Sequence, residues 1–392
     1  MKKRILIFCD YYLPGFKSGG GVWTLVNLVE RFSDHYDFYI VTHNHDGKTD
    51  REPFTSVNSN KWNTTGAAQV YYASRRSFTV KLTEKLSAEI SPDLILLNSI
   101  FSKPSYLLMT AVRRKLVRGI PILIFTCGEL SKPSLSVRRA KKMLFLAIAK
   151  RFGSYRNVFW KASFDDERRD IEDVFGEGLD IMLAPDLLPK TILPEFELNS
   201  KPGKSQGSVK LVFVSRIDPK KNLNFLLEVL SVIKKGDIEM EIIGPHEDPP
   251  YWDRCKELIA ELPLNITTKV VGSLSNEEAV RRMNNSHFFV LPTLSENFGY
   301  VFIEAMAAGC PLLISERTVW NDIDERNVGW ELELGSKDKW IEKLKYCINM
   351  NQDEYSEMSQ NARKYALEWL NDPEIEKATA KVLDHATNES LK

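Results

Sequence analysis

Short apolar runs and helical stripes alternate along almost the whole chain. In the first half, Arg4 to Cys9, Asp37 to Thr42, Asp93 to Leu97, Ile122 to Phe125 and Val158 to Lys161 are brief, β-branched or Leu-rich segments bounded by polar turns, which predicts strands. Longer stretches with apolar residues three and four apart lie between them and predict helices. The pattern restarts in the second half, with strands predicted at Lys210 to Ser215, Ile238 to Ile243, Lys269 to Val271, His287 to Leu291 and Pro311 to Ser315. Strand and helix in alternation is the signature of parallel sheets joined by crossover helices. The fold class is therefore α/β, with two Rossmann-like domains facing across a cleft toward which both sheets direct their carboxyl edges. Leu198 to Ser208, LNSKPGKSQGS, is rich in Ser, Gly and Lys and lacks apolar periodicity, so it reads as the linker. The domains are then 1–197 and 209–371, and 372–392 starts a last helix at Asp372 and Pro373.

The richest local pattern is Ser295 to Pro311, SENFGYVFIEAMAAGCP, which follows the strand HFFVLP directly. Glu296 falls on the loop at the sheet's carboxyl edge, and Glu304 about one turn inside the next helix. The amides of Gly299, Tyr300 and Val301 lie between them, at a helix start suited to phosphate. An anion there repels both carboxylates, so each should face something neutral and hydroxyl-rich, a sugar on one side and a ribose on the other. A nucleotide sugar has that layout, although a plain surface helix with incidental acids has the same spacing.

A second element is Leu211 to Leu230, LVFVSRIDPKKNLNFLLEVL: a strand, a turn at Asp218 and Pro219, and an amphipathic helix. Arg216 leaves the strand, and Lys220 or Lys221 sits at the helix start, where a cation opposes the dipole and calls for an anion. Together Arg and Lys can neutralise a departing diphosphate; alone, Lys-Lys at such a place is also a solvated turn.

These two motifs resemble the retaining GT-B glycosyltransferases of family 4, the glycosyl transferases group 1, whose E-x7-E signature reads Glu296 to Glu304 and whose R-x4-K pair reads Arg216 to Lys221. The segment YYLPGFKSGGGVWTLVNLVERF looks like that family's glycine-rich first loop, so the resemblance covers nearly the whole chain. It implies a GT-B fold, an acceptor-side first domain, a donor-binding second domain and a final helix crossing back to the first. It implies transfer from a UDP- or GDP-linked sugar to an acceptor hydroxyl with retained configuration, by a hexosyltransferase that uses no metal and no cofactor beyond the nucleotide-sugar co-substrate. Arg216, Lys221 and Glu296 would be catalytic. Glu304 would hold the ribose, the amides of Asn297, Phe298 and Gly299 the sugar, Tyr300 and Val301 the phosphates, and Val271 and Gly272 the nucleobase. Gly19, Gly20 and Gly21 would border the donor phosphate and the acceptor, with a simple tight turn as the plain alternative. Many members carry a histidine near the reacting sugar where this chain has Thr126, Cys127, Gly128 and Glu129. Either Glu129 or backbone groups take that role, or the role is dispensable; Cys127 itself reads plainly as a buried inert thiol. His43, His45 and Trp252 are further candidates, with surface or packing roles as the plain alternatives.

Composition narrows the rest. Lys and Arg number 53 against 53 Asp and Glu, so no net charge suggests nucleic-acid binding. The five cysteines are scattered without metal-ligand spacing, which fits reduced thiols in a cytoplasmic protein. MKKRILIFCDYY breaks its apolar run at Asp10 and reads as a first strand, not a signal peptide. No run reaches the ~20 apolar residues of a membrane span. Lys132 to Arg156 nevertheless has many cations, no acids and interleaved Met143, Leu144, Phe145, Leu146 and Ile148. It reads as a helix resting on anionic lipid at the inner face of the cytoplasmic membrane, or as core packing with a solvated basic face. A glycan or lipid-linked glycan acceptor, in bacterial surface polysaccharide or lipopolysaccharide assembly, suits that setting. An epimerase or hydrolase of the same fold, and a non-catalytic scaffold of a polysaccharide-assembly complex, are the rival functions; intact Arg216, Lys221, Glu296 and Glu304 weigh against the scaffold.

Overall fold

The computed structural model describes residues 2–15, 19–47, 50, 52–190, 201–246 and 248–388. Residues 16–18 of the first loop, 191–200 at the end of the first domain and start of the linker, and the last four residues lie outside that set. The chain divides into two units, Met1–Lys190 with Asp372–Lys392, and Thr191–Asn371.

In the first unit the elements run β1 (Lys3–Phe8), α1 (Gly20–Phe32), β2 (Tyr36–His43), β3 (Trp62–Thr65), β4 (Ala68–Ala73), α2 (Val80–Ile90), β5 (Leu94–Asn98), α3 (Lys103–Arg113), β6 (Ile122–Phe125), α4 (Lys132–Ser136), α5 (Arg139–Arg151), β7 (Phe159–Ala162), α6 (Asp165–Phe175) and β8 (Asp180–Leu183). The sheet order is β3-β4-β2-β1-β5-β6-β7-β8, parallel except where β3 pairs antiparallel with β4. Every residue of β5 is buried, as a central parallel strand covered on both faces requires. Helix α1 buries Val22, Leu25, Val26, Val29 and Phe32, the three-and-four spacing of one face.

The second unit runs β9 (Ser208–Val214), a 3-10 turn (Pro219–Lys221), α7 (Leu223–Leu230), β10 (Asp237–Ile243), α8 (Pro249–Ala260), β11 (Ile266–Gly272), α9 (Asn276–Asn284), β12 (Phe288–Leu291), α10 (Tyr300–Ala307), β13 (Leu312–Ser315), β14 (Gly329–Leu332), α11 (Lys337–Asn349) and α12 (Gln352–Leu370). Its sheet is parallel throughout, in the order β11-β10-β9-β12-β13-β14. A final helix, α13 (Pro373–Asn388), packs within the first unit. Arg31 Nη1 meets Glu376 at 2.8 Å, and the Tyr36 hydroxyl donates to Asp384 at 2.8 Å.

Four strands, β3, β4, β8 and β14, extend the sheets beyond the sequence expectation. Three of these, β3, β8 and β14, are sheet edges of four residues each, too short to announce themselves by periodicity. The expected single helix over Lys132 to Arg156 is two, broken where Val137 is extended and Arg138 adopts a left-handed φ of 54°. The linker expectation also needs correction. Lys201 Nζ donates to the Met283 and Ser286 carbonyls at 3.2 and 2.8 Å, and buried Lys204 Nζ to the Ile348 and Met350 carbonyls, each at 3.0 Å. Residues 201–207 are thus anchored to the second unit, because these lysines satisfy carbonyls left open where α9 and α11 end.

Candidate functional site

In the second sheet the strand order reverses about β9, whose neighbours β10 and β12 lead away in opposite senses. Ligands of open α/β sheets bind outside the carboxyl ends of the strands at such a point. The loop after β9 carries Arg216 to Lys221 and the loop after β12 carries Glu296, so both motifs meet there.

Local chemistry builds the first loop. Asp218 Oδ1 accepts from the amides of Lys220 and Lys221 at 2.9 and 3.2 Å, capping the 3-10 turn, and Asn222 at φ 60° ends it. The Lys220 carbonyl then accepts from Leu294 N at 2.7 Å and Thr293 Oγ1 at 3.2 Å, which pins the two loops together. As a result buried Lys221 forms an ion pair with Glu296. Burial pushes the Glu296 carboxyl up, but Lys221, Lys220 and Arg216 together overcome it and hold the group below the usual carboxylate range. Lys220 moves down, chiefly through burial. Arg216 is more exposed and stands 3.9 Å from Asp218.

Helix α10 opens on Gly299 at φ 76° with no side-chain cap hydrogen bond. A Cβ on Gly299 would come within 2.6 Å of the Phe302 ring and 2.8 Å of Glu296 Cγ, so only glycine lets the chain turn here. Phe298 is a core residue: its ring lies in a cluster with Tyr300, Trp320 and Trp369, and its carbonyl accepts from Trp320 Nε1 at 2.8 Å. Glu304 accepts from Asn276 Nδ2 at 2.7 Å, and burial raises its pKa to about 7. Val271 and Gly272 end β11, an edge strand whose outer backbone has no strand neighbour among the described residues.

Among the first unit's candidates, Gly19 at φ 64° precedes α1, with open space where a Cβ would stand. The carbonyl of Gly21 accepts from Asn98 Nδ2 at 2.8 Å, joining the first turn of α1 to the end of β5 at this sheet's own reversal point. Cys127, at φ 50°, directs its thiol to Asn98 Oδ1 at 3.2 Å, and burial raises its pKa well above the ordinary value. Glu129, one of the alternatives for the histidine's role, is engaged by the loop after β5. Its carboxylate turns inward to Ser99 Oγ at 2.8 Å and the amides of Ile100 and Phe101 at 2.9 and 3.3 Å. The Gly128 amide is also taken, by Glu167 at 2.7 Å. His43 and His45 are buried and stacked rather than on the surface, and burial lowers His43 to about 3. Trp252 stacks on His246 at 4.0 Å.

Several positions escaped the sequence reading: Asp218 as cap, Asn276 beside Glu304, Asn98 between two loops, and Lys161. The last pairs with Asp186 where β7 ends, next to Glu167, whose oxygens accept from Thr126 Oγ1, Gly128 N and Ser163 N. Among the described residues no group of three or more His, Cys, Asp or Glu is placed to hold a metal ion, and no helix is long and apolar enough to cross a membrane.

Residues 195–365 match the family described as glycosyl transferases group 1. The alpha-monoglucosyldiacylglycerol synthase of Streptococcus pneumoniae is 25% identical over 164 residues, 41% of this chain and 37% of that protein. The amylovoran biosynthesis glycosyltransferase AmsK of Erwinia amylovora is 31% identical over 134 residues, 31% of each chain. The chain thus aligns with about a third of the length of these curated relatives. Over whole structures, Anabaena HepE in complex with UDP and glucose superposes with a TM-score of 0.69 at 16% identity, covering 98% of this chain and 100% of that one. WaaG, a glycosyltransferase involved in lipopolysaccharide biosynthesis, gives 0.66 at 14%, covering 98% and 100%. Residues 195–365 of the chain thus resemble the group 1 glycosyl transferases, and the chain has the GT-B fold.

Proposed function

We propose that this protein is a retaining glycosyltransferase that moves a sugar from a UDP- or GDP-linked donor to a hydroxyl of a glycan or lipid-linked glycan, without a metal ion. The observation that carries the reading is the Lys221–Glu296 pair, with Arg216 on the same loop as Lys221 and the uncapped start of α10 beside it. A lysine, an arginine and helix amides supply positive potential for the charge that grows on a departing diphosphate. Glu296, held ionised, keeps Lys221 in place and offers oxygen atoms to the donor's sugar hydroxyls, which orients the anomeric carbon. Glu304 and Asn276 take the ribose.

In this reading the bond from the anomeric carbon to the diphosphate oxygen breaks as the acceptor oxygen approaches on the same face. The acceptor proton passes to the departing phosphate oxygen, so no enzymic nucleophile is assigned. HepE was captured with UDP and glucose, and AmsK and WaaG are described in amylovoran and lipopolysaccharide biosynthesis, which supports a nucleotide-sugar donor and a role in bacterial surface glycan assembly.

Thermal shift against UDP- and GDP-sugars without added metal tests the proposal. A donor-specific rise that Glu304→Ala and Arg216→Ala both abolish supports it. Failure of every nucleotide sugar to stabilise the protein would favour the scaffold.

A further inference from the structure

Helix α5 is apolar on the wrong side for a helix that serves only the core. It buries just Leu146 and Ala149, while Leu144 is 63% exposed, Met143 48% and Ile148 47%, and Val137 and Phe152 at its two ends are 49% and 59% exposed. At 100° per residue, Ala140, Leu144, Ala147, Ile148 and Arg151 share the outward face, and Lys141 and Lys150 border it. No carboxylate occurs between Glu129 and Asp165, although cations and anions balance over the whole chain. The Arg113 guanidinium lies 5.0 Å from the Phe152 ring, which joins the end of α3 and the following Arg114, Lys115 and Leu116 to the same face.

Exposed aliphatic residues ringed by cations of one sign suit neither bulk water nor a nucleic acid, which would use cations without the aliphatic stripe. They suit an interface that is apolar a few ångströms down and anionic at its surface. We infer that α5 and the turn after α3 form a face that docks on an anionic phospholipid bilayer. Leu144, Ile148 and Phe152 enter the interface, and Lys141, Lys150 and Arg151 lie among the headgroups with their stems on the apolar rim. The face is tied to the loop at Cys127: Ser131 caps α4, and Lys142 Nζ donates to the Ser134 carbonyl at 2.6 Å. A docked α5 therefore carries the loop at Cys127 to the membrane surface, where a lipid-linked acceptor would be met. The docking itself does not depend on the glycosyl-transfer reading.

Flotation of the full chain with vesicles tests it. Phosphatidylcholine vesicles with about one third phosphatidylglycerol should bind at least about tenfold better than pure phosphatidylcholine, and added salt should erase the difference. Leu144→Ser with Ile148→Ser should weaken binding about tenfold, since the apolar contact is lost. Lys141→Gln with Arg151→Gln should do likewise through charge. Both pairs are surface changes, so an unchanged melting temperature shows that the fold survives. Equal binding to neutral vesicles, no binding, or indifference to both pairs would overturn the inference. So would a dimer in sedimentation velocity that the Leu144→Ser/Ile148→Ser protein fails to form, which would assign the face to a second copy of the chain.

Discussion

Gly244 stands directly against Ser215. A Cβ at Gly244, where φ is 143°, would lie 1.8 Å from the Ser215 carbonyl oxygen, and the Gly244 amide donates to the Gly272 carbonyl at 2.8 Å. The turn after β10 is thus a splint for the segment that launches Arg216. Gly244→Ala should cost about 3 kcal/mol, because backbone rather than a flexible side chain must move. Gly272→Ala, at φ 82° with no described atom within 4 Å of the new Cβ, should cost only about 1 kcal/mol. Urea denaturation of the two variants checks the contrast, and equal losses would refute the splint.

Lys221 and Glu296 neutralise each other in a buried place, so removing one strands the other. Lys221→Ala should lower kcat/KM by about 10² to 10³ by withdrawing charge from the leaving group. In stability, Lys221→Ala with Glu296→Gln should lose less than the sum of the single changes, with a coupling of about 1–3 kcal/mol. A double-mutant cycle from denaturation curves measures it, and strict additivity would mean the pair is not formed in solution.

Glu304 gives a pH dependence with opposite signs for folding and for binding. Its folded value of about 7 lies above the ordinary 4.5, so its contribution to stability is full below about 4.5 and is lost as pH rises toward 7. Glu304→Gln should therefore gain roughly 3 kcal/mol on the parent protein at pH 8 relative to pH 4.5, at about 1.4 kcal/mol for each pKa unit between 4.5 and 7. Nucleoside diphosphate affinity should instead rise with pH through about 7, because ribose hydroxyls donate to the ionised carboxylate. Calorimetric titration of UDP and GDP at several pH values, repeated with Glu304→Gln, reads both the rise and its disappearance.

The positions of the four charged residues of the proposed site were legible because each lies at a fixed step from a strand end or a helix start. Arg216 and Lys221 flank one capped turn, and Glu296 and Glu304 flank one helix opening. What supports them was not legible, since it comes from other elements. Asn276 reaches Glu304 from α9, Asn98 reaches Gly21 across 77 residues of sequence, and the Lys220 carbonyl serves a loop some 73 residues away. The partners of Glu129 were hidden for the same reason: it follows β6, whereas Ser99 to Phe101 belong to the loop after β5. Lys201 and Lys204 look like linker residues in sequence, and only the ends of α9 and α11 explain where their ammonium groups bind.

The thiols offer a further check. Four of the five cysteines are buried, and Cys127 is partly so with its proton held by its surroundings. Native protein at neutral pH should react slowly with iodoacetamide at every cysteine, and denatured protein fast at all five. Rapid modification of Cys127 alone would show that the loop after β6 opens.

Helix α13 closes the first unit with residues from the far end of the sequence: Lys3 meets Asn388, Tyr36 meets Asp384, Arg31 meets Glu376, and His385 meets Asp180 at 2.9 Å. During synthesis the first unit therefore emerges from the ribosome long before its last helix exists. Its β1, β2 and β8 region must wait, with Ile375, Val382 and Leu383 still to be supplied, while the entire second unit is translated and folds. The part of the molecule made first is in this sense finished last.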